Sequence, residues 1–177
     1  KLVLAKNQAS AVVADIENAK GNLVGTGTLL LDVNASQTGS VATGAKVDTV
    51  LLTAGKLADK DGKAQTVTIK DFITHTATDT IVVNGANDLV IDILNGNTDD
   101  KVVATTHTGK LTIKDFKKNT KVFSGSNDDT FKVGAATTAI LEINSGAGND
   151  TVDLGASTAA NQITLGAGND TVVFAAS

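Results

Sequence analysis

The segment Gly146-Ala147-Gly148-Asn149-Asp150-Thr151-Val152 returns unchanged as Gly166-Ala167-Gly168-Asn169-Asp170-Thr171-Val172, and polar chemistry concentrates in these two stretches. Two glycines separated by one residue let the backbone take positive φ and turn its carbonyl oxygens to one side. The aspartate that follows supplies a carboxylate. Carbonyls and carboxylates together make an all-oxygen donor set, which suits a hard cation such as calcium, at roughly 2.3 to 2.6 Å, better than zinc. One such turn offers too few oxygens, so two turns must lie close enough to share an ion. Related but weaker versions, each lacking the second glycine, are Gly125-Ser126-Asn127-Asp128-Asp129 and Gly85-Ala86-Asn87-Asp88. The competing reading is that these are simply good turns in which Asp bonds its own backbone. The pairing of a second glycine with the aspartate, twice over, favours a ligand role for Asp150 and Asp170. For Asp79, Asp88 and Asp100 the turn reading is the stronger.

Other candidate constellations are thin. His75 and His107 stand alone in Thr-rich stretches with no second histidine at ligand spacing, which predicts surface residues. Lys70-Asp71 and Lys114-Asp115 belong to a repeated pentapeptide and read as solvated charges. Gly25-Thr26-Gly27 and Gly109-Lys110-Leu111 lack the partners of a phosphate loop, and no G-x-S-x-G occurs. No catalytic residue is expected, and an enzyme is not. The absence of Arg with only 3% aromatic residues argues against nucleic-acid recognition. Without cysteine there are no disulfides and no thiolate metal sites. No stretch approaches the roughly 18 apolar residues of a membrane span.

What must position the turns is a repeat. Thr68-Ile69-Lys70-Asp71-Phe72 recurs as Thr112-Ile113-Lys114-Asp115-Phe116, and the Asn-Asp pairs close in on a spacing of 20 residues. Short apolar runs, centred near Ile81, Ile91, Val102, Ile113, Val122, Phe131, Leu141, Val152, Ile163 and Val172, leave no room for helices between them. Among the 19 acidic residues only Glu17 and Glu142 are Glu, as a turn-rich chain requires. The pattern predicts an all-β, right-handed parallel β-solenoid, β-roll-like, with about 20 residues and two short strands per coil. Stacking by one coil would superpose identical turns at about 4.8 Å, which an antiparallel meander would not. It sets Phe131, Val152 and Val172 in one inward column and Val133, Leu154 and Phe174 in the next, with Ile143 on Ile163 opposite and Thr130, Thr151 and Thr171 outward. The chain reads as one domain over 1–177, with an irregular first third at 1–66 and regular coils over 67–177. Strands are expected at Leu29–Val33, Val50–Thr53 and Val67–Ile69, and a short capping helix is possible over Ser10–Lys20.

On the residues Ser145 to Asp153 and Leu165 to Val173 the chain resembles the RTX calcium-binding nonapeptide family, G-G-x-G-x-D-x-U-x with U apolar. The resemblance implies a β-roll in which glycine carbonyls and the motif aspartate hold calcium between adjacent turns. Carried over, Gly146, Gly148, Asp150, Gly166, Gly168 and Asp170 would bear the ligands, with Asp129 one coil earlier and Asp128 and Asp88 as outlying candidates. Family repeats recur every nine residues on both edges. Here they recur every 20 on one edge, while Thr137-Thr138 and Ala160-Asn161 on the other edge lack them, which implies one row of about one to three ions. Abundant Thr, Ala, Gly, Val and Asp with a pI near 5.0 is similar to RTX-bearing surface-layer (S-layer) proteins of Gram-negative bacteria. The resemblance implies type I secretion without an N-terminal signal, a place on the extracellular cell surface, self-association into a lattice and contact with cell-surface polysaccharide. The missing initiator Met is expected of a fragment or processed chain. An adhesin arm, or the folding segment of an exoenzyme, is the alternative role.

Overall fold

The computed structural model describes residues 1–4, 6, 8, 12–14, 27–45, 47–55, 65–75, 79–134 and 138–175. Two parallel sheets face each other. The first stacks Leu2–Leu4, Gly27–Val33, Val47–Ala54, Thr80–Asn84, Asp100–Val103, Thr120–Phe123, Leu141–Asn144 and Gln162–Thr164 in chain order. The second stacks Val12–Ala14, Gln37–Thr43, Thr66–Ile73, Asp88–Ile91, Leu111–Ile113, Thr130–Lys132, Thr151–Gly155 and Thr171–Phe174, with Leu94–Asn95 beside Thr66–Ile73. The chain alternates between the sheets, so each circuit lays one strand on each. This is a parallel β-solenoid advancing about 21 residues per turn, with no helix among the described residues.

Strand alternation builds the core. Val50, Ile81, Val102, Val122, Ile143 and Ile163 form one inward column by register. Facing it, Ile69, Ile91, Ile113, Phe131, Val152 and Val172 form another. From Val50 to Ile143 and from Ile69 to Val152 these side chains are fully or almost fully buried, and only Ile163 and Val172 in the last circuit are partly exposed. β-Branched residues suit this pleated, two-sided geometry, and Phe72, Phe116 and Phe131 supply the bulk that the absent Trp, Tyr and Met would otherwise give.

Two expectations are corrected. Val12–Ala14 is a strand, pairing in parallel with Val41–Thr43, because the first circuit already has a sheet edge to extend. The rest of Ser10–Lys20 lies outside the described residues. Phe174 does not join the column of Val133 and Leu154. A bulge after Asp153 pairs it with Gly155, and its ring is 69% exposed. Truncating Ile113 to Ala should therefore cost about 2 to 5 kcal/mol in urea unfolding, whereas Phe174→Ala should change stability by less than about 0.5 kcal/mol.

Candidate metal centre

The repeated turns lie on one edge of the solenoid, between the exit of the first sheet and the entry of the second. Gly146, Gly148, Gly166 and Gly168 all have positive φ, between 90° and 139°. The turns stack through their own backbone: Ala147 N–H donates to Gly125 O, Ala167 N–H to Gly146 O, each at 3.0 Å, and Gly148 N–H to Ala167 O at 2.9 Å. A Cβ on Gly166 would lie 1.8 Å from Gly146 O, and one on Gly168 would lie 1.7 Å from Gly148 O. Both glycines of the motif are thus required by close stacking alone. The second glycine therefore does not discriminate a ligand-binding turn from a structural one.

The aspartates discriminate better. Register places Asp129, Asp150 and Asp170 in one column that continues Val67, Leu89 and Leu111, so carboxylates take over positions that are apolar in earlier circuits. Each grips the circuit before it. Leu111 N–H donates to Asp129 Oδ1 at 2.7 Å, Asp129 N–H to Asp150 Oδ1 at 2.8 Å, and Asp150 N–H to Asp170 Oδ1 at 2.9 Å. Across the corner, Ser124 and Ser145 follow Ala104 in the exit column and are also buried. Ser124 Oγ–H donates to Asp129 Oδ2, which completes that carboxylate. Ser145 Oγ–H turns instead to Leu165 O at 2.7 Å, and Asp150 Oδ2, on a side chain only 1% exposed, is left with no hydrogen-bond partner. Ser124 and Ser145 were not among the sequence candidates; their spacing of five residues ahead of Asp129 and Asp150 was the available signal.

Asp128 and Asp88 sit one residue earlier, in an outer column with Lys110, Asn149 and Asn169. Asp128 Oδ1 accepts from Asn149 N–H at 2.8 Å, and this bond holds its carboxyl below the usual range. Asp88 Oδ1 accepts from Lys110 N–H at 2.9 Å, and the Lys110 ammonium lies 3.6 Å from Asp128. The structure therefore separates these two from the inner three.

One further polar group departs from expectation. His107 is 2% exposed rather than on the surface, neither ring nitrogen has a hydrogen-bond partner, and burial holds its pKa below the ordinary value. Asp79 and Asp100 are wholly buried on the opposite edge, where Asp79 N–H donates to Asp100 Oδ1 at 3.0 Å and Thr74 Oγ1–H to Asp100 Oδ2 at 2.5 Å. Asp100 Oδ2 also accepts from Asn97 N–H at 2.9 Å, the bond within its own turn expected of it, while its other oxygen serves the preceding circuit. Burial pushes the Asp100 pKa up. The lysines of the repeated Lys-Asp pairs are more than half exposed, and Lys114 pairs with Asp92 at 2.7 Å.

Among the described residues no group of three or more His, Cys, Asp or Glu side chains gathers as a ready-made ligand set. The inner corner nevertheless fits a hard cation in kind. It is all oxygen, it carries an unpartnered buried carboxylate oxygen, and its carbonyls keep a second lone pair after their inter-coil bonds. No family model, curated protein or solved structure matches this chain.

Burial raises the Asp129 pKa to about 6, with the neighbouring Asp150 carboxylate adding to the shift. A raised carboxyl pKa means that its contribution to stability is complete below the unfolded value near 3.8 and is lost as pH rises through about 6. His107 runs the other way, its contribution present above 6.5 and lost as pH falls through its depressed folded value. Comparing wild type with Asp129→Asn cancels the histidine. In chelator, the Asn variant should melt higher than wild type at pH 8, by up to about 3 kcal/mol of stability, and the gain should vanish near pH 4.

Proposed function

We propose that this chain is a non-enzymatic structural module: a calcium-stabilised β-solenoid from a secreted bacterial surface-layer protein, folding and assembling outside the cell. The observation that carries the calcium part is Asp150 Oδ2, buried without a partner in a column of carboxylates one circuit apart. A buried anionic oxygen with no donor is costly unless a cation or proton meets it. The motif resemblance around Gly146–Val152 and Gly166–Val172 names the cation, and Gly146, Gly148, Asp129, Asp150, Gly166, Gly168 and Asp170 are the residues that would hold it. Calcium bound there would tie adjacent circuits together and couple binding to folding.

The structural role is supported by the uniform stack and by the character of its surface. An open pocket of about 200 Å³ at the entry of the first sheet is lined by Asp99, Asn119, Thr120, Lys121, Ile140 and Glu142, where Lys121 and Glu142 neutralise each other at 2.7 Å. No helix of the described residues is long and apolar enough to cross a membrane. Secretion by the type I route, the lattice and contact with surface polysaccharide rest on the resemblance.

A second reading has its own observation. Every inner carboxylate already accepts an N–H from the preceding circuit, so the stack can close on these hydrogen bonds without metal. Thermal melting with excess calcium against chelator at pH 7.5 decides between them. Calcium should raise the melting temperature, and Asp150→Asn should remove most of that rise, while Asp153→Asn, whose carboxylate pairs with Lys132 on the outer face, should leave it intact. Identical curves with and without calcium would leave the metal-free stack standing and the calcium reading refuted.

A further inference from the structure

The outer faces of the two sheets differ in a way that strand geometry does not require. On the first sheet, register sets Leu30, Leu51, Val82, Val103 and Phe123 in one outward column. Leu30 is 44% exposed, and the other four are partly exposed. The second sheet presents Thr68, Val90, Thr112, Thr130, Thr151 and Thr171 at its outward column, a row of hydroxyls broken once. Beside that row run the ion pairs Lys114–Asp92 and Lys132–Asp153. Both faces are pleated, parallel and solvent-facing, so β-propensity would be served equally by Thr on either. The row is apolar over five consecutive strands before the column passes to Asn144 and Thr164, and an apolar row on one face only, rimmed by polar residues, marks a contact surface.

Charge and size select the occupant. Two lysines flanking the row are paired within the chain, Lys1 with Asp32 at 2.6 Å and Lys121 with Glu142 at 2.7 Å, while Lys101 keeps its charge with its ammonium 5.1 Å from the centre of the Phe123 ring. One solvated charge at the rim leaves two such faces little to repel them. Five strands spaced by about 4.8 Å, each presenting about six residues at roughly 3.3 Å, make a flat face of about 500 Å². A pair of them would bury about 1,000 Å² in total, at the lower limit for a specific association.

We infer that a second copy of this chain packs on this face, first sheet against first sheet, in an isologous pair with Val82 at its centre. Sheets meeting this way lie about 10 Å apart and interleave their outward side chains. An area at this lower limit suits a contact repeated many times in an assembly. The inference gives the self-association within the proposed function a specific face, and it rests on that reading only for its use in the cell. The face adjoins the glycine-turn edge, Phe123 lying two residues before Gly125, but it uses none of the proposed calcium ligands, so the contact should form with or without calcium.

The absence of cysteine makes a direct test clean. Val82→Cys should oxidise to a disulfide-linked dimer, while Thr112→Cys on the other sheet should remain largely monomeric under the same conditions. In sedimentation over roughly 5 to 500 μM, wild type should associate reversibly in chelator and in calcium alike. Val82→Lys should weaken that association by about tenfold or more, because the ammonium would have to be desolvated in the contact. Thr112→Lys should not. Circular dichroism and melting of the variants establish that each is folded. A wild type that stays monomeric throughout, Val82→Lys associating like wild type, or equal cross-linking of the two cysteine variants would overturn the inference. None of these results would touch the calcium reading, which the melting comparison tests alone.

Discussion

The whole structure depends on one constraint: each circuit must hydrogen-bond the one before it in register, so that outside the few bulges each strand residue lies about 4.8 Å over its counterpart. From this follow the long apolar columns, since an inward position stays inward for as many circuits as the register holds. The same constraint makes chemistry repeat. A carboxylate at one corner meets a carboxylate at the next, and like charges this close are tolerable only with a proton, a hydrogen-bond donor or a cation between them. At this corner lie Asp129, whose pKa is raised first by burial and further by the Asp150 carboxylate, and Asp150, whose Oδ2 stays open because Ser145 bonds Leu165 O instead.

Glycine acts in the turns for two reasons that coincide. Positive φ and the lack of a Cβ are both used at Gly166 and Gly168, where a carbonyl of the preceding circuit occupies the space a side chain would need. A motif selected for holding an ion and a motif selected for tight stacking would therefore contain the same residues. What separates them is the state of the aspartate oxygens, which only the assembled corner displays.

Much of this was legible in the sequence because a repeat states its own geometry. The Thr-Ile-Lys-Asp-Phe echo and the Gly-Ala-Gly-Asn-Asp echo give period and phase, and two-residue alternation then sorts Val152 inward and Thr151 outward. The failures have physical causes. Val12–Ala14 shows an apolar pattern short enough to suit either a helical face or a strand, and the available edge at Val41 decided the matter. Phe174 was misplaced because a bulge consumes one residue and shifts everything after it, which no periodicity announces. The Thr neighbours of His107 point to a surface position, yet the residue is buried. The serine and aspartate corner was half visible: the aspartates stood out by motif, while Ser124 and Ser145 acquire meaning only when read as replacements for Ala104 one and two circuits earlier.

The direction of the carboxylate ladder has a consequence for how such a chain comes into being. Asp129 serves Leu111, Asp150 serves Asp129 and Asp170 serves Asp150, always from the later residue back to the earlier. A nascent polypeptide leaving a ribosome or a translocation channel amino end first would thus hold each newly wound loop incomplete until the following loop had emerged. Winding of this edge proceeds with a lag of one loop, and the most recently emerged portion is always the least finished.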